Sequence, residues 1–414
     1  MFGLFSKKSS SAPVVPRIYL DHAAATPLLP EVKLAMEPFW YDDFGNASAI
    51  HTEGVRAKSA LTAARATVAS ILQIQPSGVI FTSGGTESNN LAIMGSVAVL
   101  RAGDIPYTDM EIITTRIEHP ATLRTVEHLA GQGVAIQYVP VDGLGRIVLS
   151  ELTKLLSTKT VLVSVAYVNS EIGTIEDIGA ISRIIKAAQR NGTTQAVLHV
   201  DAAQAPLWLP CQLSRLGADL LSLDAGKFGG PKGVGVLAHT KEVTLQSVVY
   251  GGGQEAGLRP GTEAIATIVG FTTALQLAQS DWESRQADVS TLRDYFIAEI
   301  KTAIPDAILN GPAGKGRVAN NINVSIPGIN SEFAVISLDV AGIACSTKSA
   351  CSSSSGEQSA VVMAISGDIA RARSTLRFSL GENTTKAELV QVVLLLAAHI
   401  VRNVDTLTPV SASV

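Results

Sequence analysis

Cysteine is scarce: the 414-residue chain holds three, Cys211, Cys345 and Cys351. So few in so long a chain exclude a disulfide framework, and the N-terminus lacks the apolar stretch of a secretory signal. The expected setting is therefore a reducing cytoplasm, where a thiol matters for its reactivity. Basic excess is also missing, because 32 Lys and Arg face 36 Asp and Glu for a net charge of −4, so no direct nucleic-acid partner is expected. Long apolar runs are absent too. The longest, at 390–401, falls short of the roughly 18 to 20 residues that span a bilayer, and it reads as a buried C-terminal helix with no membrane role. Charged residues are few, at 16%. With 46% hydrophobic residues and 35 glycines, that balance suits a tightly packed α/β enzyme rather than a disordered or fibrous chain.

What is present is a regular alternation. From about residue 47 to 270, short β-branched runs alternate with segments of helical period, which predicts repeated βα units and a largely parallel sheet. Strands are predicted at 78–82, 111–114, 135–139, 161–166, 196–200, 220–223 and 235–238, bounded by turn residues as strands covered on both faces are. Helices are predicted at 57–72, 87–100 and 178–190. After about residue 280 the pattern changes to a long charged and apolar segment (281–303), a strand at 321–325, further βα pieces and a final helix. That reads as a second, smaller α+β unit, in keeping with a chain too long for one ordinary core. Residues 1–16, with Lys7, Lys8 and a Ser/Pro-rich stretch, read as a loose tail.

Three constellations can carry chemistry. Phe81-Thr82-Ser83-Gly84-Gly85-Thr86-Glu87 runs from a predicted strand through a glycine pair into a helix, where free N–H groups and the Thr86 hydroxyl suit a phosphate. An ordinary capped glycine turn fits equally well. In His199-Val200-Asp201-Ala202-Ala203-Gln204 a strand ends on a carboxylate, at the edge where open α/β sheets bind ligands. Such a group could hold a pyridine nitrogen protonated, and a helix N-cap is the alternative. Leu223-Asp224-Ala225-Gly226-Lys227-Phe228-Gly229-Gly230 places a lysine in a turn after a strand. Flanking glycines allow close backbone approach, and a lysine there can form an imine with an aldehyde cofactor. Nothing in the pattern points to a metal.

In this order the three constellations resemble the cysteine desulfurase family of fold-type-I, class V aminotransferase-like pyridoxal-phosphate enzymes. Further matches are Tyr19-Leu20-Asp21-His22-Ala23-Ala24-Ala25-Thr26-Pro27, Phe44-Gly45-Asn46-Ala47-Ser48, Glu118-His119, Val168-Asn169-Ser170-Glu171-Ile172-Gly173, Gly251-Gly252-Gly253-Gln254-Glu255, Arg259-Pro260-Gly261-Thr262 and Leu376-Arg377-Phe378-Ser379-Leu380-Gly381. The resemblance covers nearly the whole chain. It implies a large, mainly parallel seven-stranded coenzyme domain over 27–275, and a small α+β domain of 17–26 with 276–414 that carries the catalytic cysteine loop.

Residue by residue, the resemblance implies that Lys227 is the imine lysine, Asp201 pairs with the pyridine nitrogen, His119 stacks on the ring and Gln204 binds the phenolic oxygen, with Asn169 a second candidate for that task. Gly85 and Thr86 would bind the phosphate, joined by Thr262 from the other subunit of a homodimer. Asn46 and Arg377 would meet the substrate, Arg377 through its carboxylate. Cys351, in the serine-rich stretch Cys351-Ser352-Ser353-Ser354-Ser355 that reads as a mobile loop, stands at the place of the persulfide cysteine. Cys211 and Cys345 read as packing. The implied reaction converts L-cysteine to L-alanine and passes sulfur to an iron–sulfur scaffold or a tRNA-thiolation acceptor. A selenocysteine lyase or related enzyme, and a partner-binding protein with reduced turnover, are the alternatives. Four positions depart from the family pattern: Asp224 and Gly226 replace the Ser and His that commonly precede the lysine, Ser170 replaces Asn, and Lys348 stands near Cys351 where glycine is common.

Overall fold

A computed structural model describes residues 17–347 and 358–407. The strands in chain order are β1 (Ile18–Tyr19), β2 (Val79–Thr82), β3 (Glu111–Thr114), β4 (Ala135–Tyr138), β5 (Thr160–Ala166), β6 (Val197–Asp201), β7 (Leu220–Asp224), β8 (Gly235–His239), β9 (Ile308–Leu309), β10 (Asn321–Ser325), β11 (Ile343–Ala344) and β12 (Thr375–Ser379). All seven predicted runs between 78 and 239 are strands of one sheet, in the order β2-β8-β7-β6-β5-β3-β4. The pairs from β7 through β4 are parallel, and β8 is antiparallel to both of its neighbours.

The sheet separates two cores by the two-residue period of its strands. Val79, Phe81, Leu221, Leu223, Val236 and Ala238 face a core shared with the helices Thr52–Leu72, Ile178–Arg190 and Ile265–Ser280. Ile80, Leu220 and Leu237 face the other, shared with the helices Gly85–Ala102 and Pro120–Ala130. Both faces being covered, these strands read in sequence as continuous apolar runs. Their last residues emerge: Ala166, Asp201 and Asp224 are partly exposed at the carboxyl ends of β5, β6 and β7.

Helix starts are where the periodicity falls short. The helix Thr52–Leu72 begins five residues before the predicted 57, because the His51 ring accepts from the Gly54 N–H at 3.4 Å and caps it. The helix Gly85–Ala102 begins at a glycine that has no side chain to announce it.

A second, antiparallel sheet, β12-β10-β9, and the parallel pair β1-β11 complete the structure. The helices Trp282–Ala303 and Lys386–Leu407 pack together against this part, with Phe296 edge-on to Phe378 of β12 at 5.4 Å between ring centroids. Among the described residues no helix is long and apolar enough to cross a membrane.

Candidate active site at the carboxyl edge of the sheet

Parallel registration brings the strand ends to one edge. Ala166 of β5 sits opposite Asp201 of β6, and Asp201 opposite Ser222 of β7. The segments leaving β2, β5, β6 and β7 enclose a cavity of about 140 Å³ lined by Gly85, Thr86, Asn89, His119, Asn169, Asp201, Gln204, Asp224, Lys227 and Arg377. Eight of the predicted site residues therefore meet in one pocket, from positions 85 to 377.

Each is held by named partners. Lys227 ends the turn Ala225–Lys227, and its amine donates to the carbonyls of Ala24 at 2.5 Å and Ala23 at 3.2 Å. Gln204 donates to the same Ala23 carbonyl at 2.9 Å. The segment after β1 thus closes one wall, pinned by paired bonds between Thr26 and Gly226: the Thr26 N–H and hydroxyl donate to the Gly226 carbonyl at 2.9 and 3.1 Å. Asp201 accepts from the Ala203 N–H at 3.0 Å and from Asn89 Nδ2 at 2.7 Å, so both oxygens are oriented. Asn169 uses its side chain on the loop itself, donating to Ile117 O at 2.8 Å and accepting from the N–H groups of Glu171 and Ile172 at 3.0 Å each. Arg377, 1% exposed on β12, pairs with Asp21 at 2.8 Å and donates to Ser170 O at 3.0 Å. Its Nε has no partner among the described residues, and neither has Asn89 Oδ1.

Burial governs the electrostatics. His119 caps the helix Pro120–Ala130, its Nδ1 accepting from the Ala121 N–H at 3.1 Å, so the ring proton of the neutral form belongs on Nε2. Burial lowers its pKa, Asp201 pulls it up and Lys227 pushes it down, and the ring is uncharged at neutral pH. Glu118, beside it, accepts from the Thr115 hydroxyl at 2.7 Å while its other oxygen is buried without a partner among the described residues. Desolvation raises this carboxyl to about 8, helped by the neighbouring charge of Asp201. Burial raises the Asp21 carboxyl as well, against the pull of Arg377. His199 is a structural member of the sheet, bridging Ser164 on β5 and Ser222 on β7 at 2.8 and 2.9 Å and lowered to about 4 by complete burial. Cys211 and Cys345 are buried, and burial pushes both thiols up, Cys345 to about 12.

Two predicted residues are not in this pocket. Asn46 and Thr262 lie together elsewhere, lining a separate cavity with Phe39, Trp40 and Phe44. Cys351 and Lys348 lie outside the described residues, as does the segment 1–16. Sequence reasoning assigned no role to Asn89, Asp21 or Glu118, which orient or neighbour its candidates. The signals were there, in an amide one turn into the helix after the glycine pair and in acids inside two matched motifs. It also passed over Glu255, whose carboxylate grips Arg65 at 2.5 and 2.8 Å and accepts from the Phe81 N–H at 2.9 Å, tying the glycine-rich segment to β2.

The donor set fits pyridoxal phosphate: an amine, a doubly oriented carboxylate, an uncharged imidazole, a helix N-terminus and a buried guanidinium with an unpartnered N–H. Comparison with known proteins agrees. The class-V aminotransferase family model matches residues 18–392. The chain is 41% identical over 392 residues to a cysteine desulfurase IscS of Dictyoglomus turgidum, covering 95% of this chain and 96% of that one. Among solved structures, a NifS-like protein superposes with a TM-score of 0.85 at 31% identity, over 93% of this chain and 100% of that one. A protein described as SspA in complex with cysteine superposes with a TM-score of 0.74 at 31% identity, over 89% and 100%. The chain belongs to the class-V aminotransferase family and, within it, to the pyridoxal-phosphate-dependent cysteine desulfurases.

Proposed function

We propose that this desulfurase uses Lys227, Asp201, His119, Gln204, Asn169, Gly85 and Thr86 to hold pyridoxal phosphate, Arg377 and Asn46 to hold L-cysteine, and Cys351 to receive the sulfur. The observation that carries the reading is the convergence of Lys227, Asp201, His119 and Arg377 on one pocket at the carboxyl edge of the sheet. When bound, the coenzyme supplies a carbonyl for the substrate amine and an electron sink for its Cα.

The chain supplies the rest. Asp201, fixed by Asn89 and the Ala203 N–H, holds a proton on the ring nitrogen. Arg377, fixed by Asp21 and Ser170 O, keeps Nε for the substrate carboxylate. The Lys227 amine, steadied by the Ala23 and Ala24 carbonyls, moves the proton at the substrate Cα. The Cys351 thiolate then bonds to the substrate sulfur as the bond from that sulfur to Cβ breaks, the bonding pair staying with Cβ, where the proton of the substrate thiol ends. Cysteine and a thiolate become alanine and a persulfide anion, which an iron–sulfur scaffold or a tRNA-thiolation protein consumes in the cytoplasm. The bound cysteine in the description of the SspA neighbour supports cysteine as substrate.

The separation of Asn46 and Thr262 from the Lys227 pocket supports a homodimer with shared sites, as do the exposed aromatic side chains of Trp40, Tyr41, Phe44 and Tyr250. In this reading residues 27–275 are the coenzyme domain, and 17–26 with 276–414 the smaller one. The test is alanine and sulfide release from cysteine by wild type and Cys351→Ser, with the visible absorbance of Lys227→Ala beside wild type. The variants should lose sulfide release and the visible band respectively. Equal sulfide release by Cys351→Ser would remove Cys351 from the mechanism.

A further inference from the structure

Asp224, the last residue of β7, points its carboxylate at the start of another element. One oxygen accepts from the Gly85 N–H at 3.1 Å and the other from the Gly226 N–H at 2.9 Å. Gly85 is the first residue of the 18-residue helix Gly85–Ala102, and Gly84 before it, at φ 150°, has no side chain to cap it. The cap comes instead from a residue 139 positions away. A Cβ on Gly85 would lie 3.3 Å from the Asp224 oxygen, so the carboxylate rests in the space that the glycine pair leaves open. Gly226 is the second half of the arrangement: a Cβ there would meet the other Asp224 oxygen at 3.2 Å, and its absence lets the carboxylate fold back onto the Gly226 N–H.

The other acid of this first helical turn is already neutralised, since Glu87 pairs with Arg259 at 3.1 Å. Among the described residues, the hydrogen bonds of Asp224 come from backbone N–H groups alone. A phosphate approaching Gly85 and Thr86 therefore meets a like charge seated on the N–H group it would use.

Resting on the coenzyme reading above, we propose that Asp224 is a built-in occupant of the phosphate seat, which pyridoxal phosphate must displace to bind. Asp224 and Gly226 form one unit that holds the empty pocket in shape and weakens the hold on the phosphorylated coenzyme. Occupancy of this enzyme then follows the coenzyme concentration around it.

The experiment titrates full-length protein, stripped with hydroxylamine, with pyridoxal 5′-phosphate and separately with pyridoxal, reading visible absorbance and tryptophan fluorescence. Wild type, Asp224→Ser and Asp224→Asn are compared; the Asn variant keeps an oxygen to accept from Gly226, and carries the test if the Ser variant does not fold. Both variants should bind pyridoxal 5′-phosphate at least about tenfold more tightly, with pyridoxal affinity changed by less than about threefold. Equal affinity of wild type and variants for pyridoxal 5′-phosphate overturns the proposal and leaves the coenzyme reading intact. Equal tightening for pyridoxal also overturns it, because Asp224 would then act away from the phosphate. Failure of wild type and variants alike to bind the phosphorylated coenzyme overturns the coenzyme reading and the proposal with it.

Discussion

Replacing Glu118 by Gln tests how the pocket manages charge behind Asp201. The Glu118 carboxyl is buried, raised by desolvation from its ordinary 4.5 to about 8, with Asp201 as a like-charged neighbour. A folded pKa above the unfolded one means that the folded protein holds the extra proton. The stability this contributes is fully present below about pH 4.5 and is lost as pH rises through 8. For these two values the loss between pH 6 and pH 8 is about 2 kcal/mol, since a full proton is worth 1.36 kcal/mol per pH unit over most of that interval. Glutamine is neutral throughout and can still accept from the Thr115 hydroxyl, which bonds Glu118 at 2.7 Å. The variant should match wild type within about 1 kcal/mol at pH 6 and exceed it at pH 8 by about 2 kcal/mol more. With an unfolding entropy of about 2.1 cal/mol/K per residue over 414 residues, that is a Tm difference of about 2 to 3 °C. Urea and thermal denaturation of the coenzyme-loaded proteins at pH 6, 7 and 8 measure it. A gap that stays constant across the three pH values would refute the reasoning.

Arg377→Lys should raise KM for cysteine by about 10- to 100-fold with a smaller fall in kcat, because lysine cannot reproduce a planar fork shared between Asp21, Ser170 O and a substrate carboxylate. Steady-state alanine formation checks this, and an unchanged KM would remove Arg377 from carboxylate binding. His199, lowered to about 4 by burial between Ser164 and Ser222, contributes stability that is complete above about pH 6.5 and fades as pH falls toward 4. The stability gap between wild type and His199→Asn in urea should therefore shrink by on the order of 3 kcal/mol over that range; a gap independent of pH would mean that His199 is not buried neutral.

The strands of the main sheet were legible as short, mostly apolar runs because the central ones, covered on both faces, need apolar side chains throughout. Lys227, Asp201 and the Gly84-Gly85-Thr86 turn were legible because a strand end, a glycine and a reactive side chain are neighbours along the chain. The helix starts at 52 and 85 were less so, since one relies on a histidine cap and the other on a carboxylate from a distant strand. Contacts between distant positions left no local trace. Asp224 reaches Gly85 across 139 positions, Asn89 reaches Asp201 across 112 and Arg377 reaches Asp21 across 356. Local pattern therefore determined which elements form and which residues have the right chemistry. Tertiary structure decided that Asn46 and Thr262 lie apart from Lys227, that burial raises the Glu118 carboxyl, and that the Asp224 carboxylate accepts from the Gly85 N–H. The physical reason is that hydrophobic periodicity is a property of neighbouring residues, whereas desolvation and hydrogen-bond partnership depend on which strand ends the sheet register brings side by side.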